Sequence, residues 1–338
     1  MARTSESSCR PRICRIVVIV NAKDYLTPEE TKALLVKSDV LAGWDILHTW
    51  LWIAGALAIS GIWPHPLTII LSIIVLGGKQ VACAIIMHDA SHYAMFSGKA
   101  ANERWGNWLG GYPIFIDLRR YRPYHLQHHN YTGSDDDPDI NLTRGYPTTR
   151  ASMVRKVVRD LCGLTGIKAF AGLLAMHAGI LRFNLGNRVE RVPTAEQLGK
   201  RRIAELAHNI AGPLAANAIL FAILWAVGAP WLYLLWFGAY LTTYQACLRV
   251  RSIAEHSVVP NRFDPQLNTR TTYANVLTRI LFAPLRVNYH AEHHLLMTVP
   301  SYRFPQMHAL LKARGYYGRG LLSPGYWAVL ARTVRSRH

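Results

Sequence analysis

The amino-acid sequence predicts an all-α integral membrane protein, with four transmembrane helices in two hairpins and a cytoplasmic helical cap that carries clustered histidines. Three observations support this. Four apolar stretches, roughly 44–63, 66–88, 209–228 and 230–252, each run to about 20 residues, which at ~1.5 Å per residue matches a ~30 Å hydrocarbon core. They pair through short turns, Trp63–Pro66 and Gly228–Trp231, which contain neither Lys nor Arg. Nine of the fifteen histidines fall into four tight clusters at or beyond the ends of the stretches.

From the N-terminus, residues 1–25 read as a disordered tail, and 26–338 as one membrane domain. The run Arg15–Val20 is too short for a signal-peptide core and lacks a small-residue cleavage site. Thr27–Glu30 has the pattern of a helix start, with a capping hydroxyl, Pro at the first helical position and acidic residues in the first turn. Lys79 lies nine helical residues from His88, a rotation of about 180°, so it points away from the histidine face. The aromatic-rich segment 98–118, with Trp105, Trp108, Tyr112 and Phe115, reads as interfacial. Between 151 and 208, the apolar run from Gly163 to Phe183 is expected as an amphipathic helix lying in the interface. A fifth span there would put the later clusters on the opposite face.

Half of the residues are apolar (51%), yet the formal net charge is +18. A soluble protein so basic would suggest nucleic acid, but no helix-turn-helix, zinc-finger or RRM signature is present. With Lys and Arg confined to the segments outside the hairpin turns, the excess marks a cytoplasmic side facing the membrane. Among five cysteines, Cys83 and Cys247 sit in apolar blocks as small core residues, and Cys9 and Cys14 have no second pair to complete a metal module.

The clusters are HDASH (88–92), HLQHH (125–129), EH (255–256) and HAEHH (290–294). Residues three and four apart share a helix face, so each box is expected to aim two or three ring nitrogens at one point. Nine neutral donors exceed the needs of one first-row ion and suit two ions that each keep an open position. Imidazole suits iron, zinc, copper and nickel. Asp89, Glu255 and Glu292 each neighbour a cluster histidine and read as partners of the distal ring N–H. Asp135, Asp136, Asp137 and Asp139 fit that role and a solvated turn equally well. Thr242, Gln245, Arg249, Ser252 and His256 share a face of the fourth stretch, which should turn inward. For Arg249, ~10 Å along the helix from His256, pairing with Asp89 or contact with a polar group of the substrate weighs evenly against a snorkelling arginine. His48, His65, His177, His208, His308 and His338 stand alone, with surface or interface roles. Two other classes compete: a metal transporter, which would need ligands near the bilayer midplane, and a two-zinc membrane hydrolase, which usually has bridging carboxylates.

The boxes HDASH, HLQHH and HAEHH, with His256 after the fourth stretch, resemble the integral-membrane fatty acid desaturase and hydroxylase superfamily over about 44–315. The run HHNYTGSDDDPD (128–139) is similar to its pattern after the second box. The resemblance implies a non-haem di-iron centre with His88, His92, His125, His128, His129, His256, His290, His293 and His294 as ligands. Some members have an Asn, acting through a water, where this chain has Ser252. It implies O2 as co-substrate and a double bond placed in a lipid acyl chain; the distribution of Lys and Arg puts the site at the cytoplasmic face, expected of a bacterial inner membrane. A hydroxylase or ketolase acting on a fatty acid, sphingolipid-like or carotenoid substrate is the alternative. The sequence has no HPGG haem motif and no ferredoxin cysteines, so electrons are expected from a separate ferredoxin-, rubredoxin- or cytochrome b5-like carrier.

Overall fold

Local capping chemistry sets the helix starts. Thr27 accepts from Glu30 N, and the Glu30 carboxylate accepts from Thr27 N, opening α1 (Pro28–Leu34) as expected. Ser38 caps α2 (Asp39–Ile62), and His65 caps α3 (Pro66–Ser91) with Pro66 at the first position. The computed structural model describes residues 21–186, 188–193, 199–318 and 321–335.

Residues 1–20 of the expected disordered tail lie outside the described residues. Residues 21–25, expected within it, are ordered instead: Asn21 caps a turn over Ala22–Asp24, and the Tyr25 ring packs edge-on against Tyr316 at 5.0 Å. The cause is tertiary. Tyr25 and Leu26 join an apolar cluster with Leu267, Met307, Leu311 and Tyr316.

Helices α2 and α3 pack as a hairpin. Their outer faces expose Trp44, Leu47, Leu51, Ile62, Leu67 and Ile70, where a soluble protein would be polar. Halfway along, α3 changes character: every residue from Leu76 to Ser91 is buried. It runs from a lipid-type surface into the centre of the molecule. Lys79, on this buried half, sits over the Trp52 ring at 5.1 Å.

After α3 come α4 (Lys99–Gly106), a π-helical turn (Asn107–Gly111) and α5 (Leu118–Tyr131). Of the aromatics expected at the interface, Trp105 and Trp108 are exposed, but Tyr112 and Phe115 are buried. A short α6 (Ile140–Thr143) precedes α7 (Arg150–Leu161) and α8 (Leu164–His177). At 14 residues, α8 reaches ~21 Å, too short for a bilayer core.

The third long helix is α9 (Gly199–Ala226), ended by Gly228 at φ +76°. The expected fourth span, 230–252, is not one helix. It breaks at Thr242 (φ −118°, ψ −89°) into α10 (Leu232–Leu241) and α11 (Thr243–His256). At the break Gln245 Nε2 donates to Tyr240 O at 3.0 Å, and Thr243 Oγ1 donates across to Ile73 O of α3 at 2.7 Å. Gly77 of α3 makes room, since a Cβ there would meet Tyr244 N at 2.7 Å. Three helices are therefore long and apolar enough to cross a membrane: Asp39–Ile62, Pro66–Ser91 and Arg202–Ala226.

The remaining elements are α12 (Val276–Leu281), α13 (His290–Leu295), α14 (Phe304–Ala313) and α15 (Tyr326–Arg332). Two-residue strands β1 (Thr271–Thr272) and β2 (Leu322–Ser323) pair in parallel. Cys83 and Cys247 are buried, as expected.

Candidate metal centre

The buried half of α3 ends on His88 and, at its cap, His92. Helix α5 brings His125, His128 and His129, α11 finishes at His256, and α13 is little more than the HAEHH box itself. All nine histidines converge. They form two groups, His88, His92, His125, His129 and His293 in one, and His128, His256, His290 and His294 in the other. In each group one ring nitrogen per residue lies within 4.8 Å of every other.

The expectation that a box aims all of its histidines at one point holds only for residues four apart. Each such pair (88/92, 125/129, 290/294) shares a group, while His128 and His293, three residues from their box's first histidine, cross to the other one. At ~100° per residue, positions i+3 and i+4 differ by ~100°. That is enough to serve two centres from one turn of helix.

The donor set fits metal ions. His290 Nε2 lies 2.8 Å from His256 Nε2, His293 Nε2 3.0 Å from His129 Nε2, and His129 Nε2 3.1 Å from His125 Nε2. Two imidazoles bound ~2.1 Å from a shared ion at a right angle stand about 3 Å apart. The buried Nε2 atoms of His88, His92 and His294 have no hydrogen-bond partner among the described residues. A bound cation would satisfy them. Burial first, then the like charge of neighbouring imidazoles, hold His125, His129, His290, His293 and His294 well below the ordinary histidine range. They stay neutral, the form that binds metal.

Carboxylates orient some of the rings. Asp89 Oδ1 lies 2.8 Å from His88 Nδ1, which leaves Nε2 as the ring's other donor. Asp137, which sequence reasoning left undecided, does the same for His128 at 2.8 Å. Burial pulls the His128 ring down, but the Asp137 hydrogen bond and the Asp139 and Asp137 charges outweigh it and raise its pKa. The DDDPD run was the available signal. Only the fold decides which member turns inward: Gly133 (φ +77°) reverses the chain, and the amides of Gly133 and Asp139 then hold the Asp137 carboxylate.

Other expected partners lie elsewhere. Glu255 accepts from Arg251 Nε at 2.7 Å and stays 3.7 Å from His290 Nδ1, beyond hydrogen-bond reach. Glu292 faces away from the histidine groups. It binds His308 Nδ1 at 2.6 Å and accepts from the hydroxyls of Thr271 and Tyr317. His308, expected at the surface, is buried beneath this contact. Arg249 does not pair with Asp89; its Nη2 lies 2.8 Å from Oδ1 of Asp160, a fully buried residue of α7.

A cavity of about 210 Å³ adjoins His125, His128, His256 and His290. Met87, Ile116, Tyr121 and Leu248 give it apolar walls, and Gln245, Arg249 and Ser252 line it from the inward stripe of α11. A larger groove of about 540 Å³ between α2 and α3 touches none of the nine.

Asp137→Asn is expected to weaken metal retention or activity ~10–100-fold, with helix content unchanged. Metal titration beside circular dichroism measures both. Unaltered metal affinity would mean that Asp137 does not orient His128.

Residues 60–324 match the fatty acid desaturase family. The chain belongs to that family. Dihydrorhizobitoxine desaturase of Bradyrhizobium elkanii is 27% identical over 275 residues, covering 80% of this chain and 71% of the relative. Sphingolipid delta(4)-desaturase/C4-monooxygenase DES2 of Homo sapiens is 27% identical over 281 residues, 80% of this chain and 70% of its own. Beta-carotene ketolase of Paracoccus sp. (strain N81106 / MBIC 01143) is 32% identical over 111 residues, which is 32% of this chain and 43% of the ketolase. The protein is thus an oxidoreductase of desaturase or oxygenase type, with a membrane setting and lipid substrates implied by its family. The family uses di-iron centres, and histidine clusters suited to one are present.

Proposed function

We propose that the protein is an O2-dependent desaturase of a lipid acyl chain, with one iron held by His88, His92, His125, His129 and His293 and a second by His128, His256, His290 and His294. The observation that carries this reading is the gathering of nine mostly buried imidazoles into two groups beside one partly apolar cavity. Two irons there would supply O2 activation and hydrogen removal from an unactivated C–H bond. The chain's own residues do the rest. Asp89 and Asp137 hold a proton on Nδ1 of His88 and His128, keeping Nε2 of each ring free to bind. Met87, Ile116, Tyr121 and Leu248 shape the space for a methylene and exclude water. Ser252, lining the same cavity, stands where some family members place a water-holding Asn.

We read the broken fourth stretch, α10–α11, as completing two hairpins whose histidine-bearing ends lie at the cytoplasmic face of a bacterial inner membrane. The absence of Lys and Arg from both hairpin turns supports that orientation. Electrons would come from a separate ferredoxin-, rubredoxin- or cytochrome b5-like carrier. The relatives named ketolase and monooxygenase favour a second reading, in which the same site inserts oxygen. Lipid profiling of a host with and without expression, under air and under argon, tests both. Desaturation gives a new product lighter by two hydrogens, formed only in air. A product that has gained one oxygen, without loss of hydrogen for an alcohol or with loss of two hydrogens for a ketone, would establish the second reading, and no O2-dependent product would refute both.

A further inference from the structure

Next to the histidine cavity lies a wider groove of about 400 Å³, formed by α6, α7, α8, α11 and the chain after α8. The two share Leu142, Thr165, Ala169, Leu185 and Arg249 in their walls, so they are contiguous. Leu164, Leu173, Met176 and Leu181 make the groove apolar, yet it is also lined by Lys156, Arg159, Lys168, Arg188 and Arg249. No carboxylate lines it among the described residues. Asp160 neutralises Arg249, and Glu190 neutralises Arg188.

The other three cations form no ion pair among the described residues. Lys156 lies over the Tyr146 ring at 4.3 Å, and Arg159 Nε donates to the Thr165 hydroxyl at 3.3 Å. Burial, then the Arg249 and Arg159 charges, lower the Lys156 ammonium below the ordinary lysine range. Lys156 is half-buried, while Arg159 and Lys168 are exposed at the groove's rim; like charges lining one apolar slot repel one another, and an anion lodged among them relieves the repulsion.

We infer that this groove takes the head of an anionic amphiphile, its carboxylate or phosphate held by Lys156, Arg159 and Lys168 and its chain running past Thr165 and Leu185 toward the histidines. The inference rests on the proposed reading of the site as one that oxidises a lipid, and it narrows the substrate to lipids with a negatively charged head. The alternative source of the same chemistry is the bilayer itself, since basic residues at headgroup depth also attract anionic lipid.

The test uses the full chain in nanodiscs of phosphatidylcholine alone, with palmitate, hexadecyl phosphate and 1-hexadecanol as probes in calorimetric titrations. Palmitate or hexadecyl phosphate is expected to bind at least ~10-fold tighter than the alcohol, the size of a charged hydrogen bond. Whichever anion wins identifies the head. The preference should vanish in K156E/K168E, survive in K156R/K168R, and fall as salt is raised. Should the double variant fail to fold, K168E alone must reduce it.

Equal binding of all three probes overturns the inference, as does a preference that survives charge reversal. So does K156E/K168E losing only its flotation with phosphatidylglycerol vesicles, because the lysines would then serve bulk lipid. Binding is read without turnover, so absence of an oxidised product would refute the proposed function while leaving this result standing.

Discussion

Replacing His294 by alanine is expected to empty one metal position and abolish turnover, while His92→Ala retains more metal. The difference follows from how the nine rings divide. His294 belongs to the group of four and leaves three imidazoles, whereas His92 belongs to the group of five and leaves four. A site of three nitrogens that must also keep a position open for chemistry has no donor in reserve. Glu292 cannot step in, because its carboxylate is held by His308, Thr271 and Tyr317 on the far side of α13. The loss of activity in His294→Ala should exceed the ~10–100-fold expected of an outer partner such as Asp137. Elemental analysis of iron per chain, with product measured by mass spectrometry, checks both variants. Equal metal loss from the two would mean that the five-and-four division does not describe the loaded protein. Zinc at full occupancy in the native chain would point instead to a hydrolytic site.

Asp160→Ala should carry the largest stability effect, a destabilisation of about 3 kcal/mol, because it strands a half-buried arginine and removes a fully buried carboxylate that three donors share. Asp160 is fully buried and receives Arg249 through both Nε and Nη2, with the Thr165 hydroxyl donating to Oδ1 at 2.6 Å. One carboxylate thus ties α7 to α8 and α11. The Arg249 side chain is 19% exposed, so removing its partner leaves a charge with little water to turn to. Changing both partners to apolar residues of similar size, Asp160→Leu with Arg249→Met, should recover most of the loss. Thermal midpoints in detergent distinguish the cases. A single variant as stable as the wild type would show that Arg249 finds solvent or another partner at no cost.

The parts of the structure legible in the sequence are those set by neighbours along the chain. Thr27 and Glu30 form their capping box, and the turns at Trp63–Pro66 and Gly228–Trp231 fall between helices. Three of the four apolar stretches become membrane-length helices. The fourth kept its composition but not its continuity: it breaks at Thr242, beside which Thr243 reaches the Ile73 carbonyl of α3 and Gln245 that of Tyr240, contacts that no periodicity reveals. Likewise, Tyr25 looked like part of a tail until Tyr316, far along the chain, supplied its partner.

The histidine boxes announced clustered metal-type donors by residue type and spacing alone, since i,i+4 imidazoles on a helix must share a face. Tertiary packing decided the rest: which rings join which group, that Asp137 serves one of the nine clustered histidines while Glu292 does not, and that Arg249 meets Asp160 rather than Asp89. Spacing fixes directions only within one helix. The relative rotation of α3, α5, α11 and α13 comes from buried contacts between residues distant in sequence, and it is that rotation which turns four separate clusters into two sites.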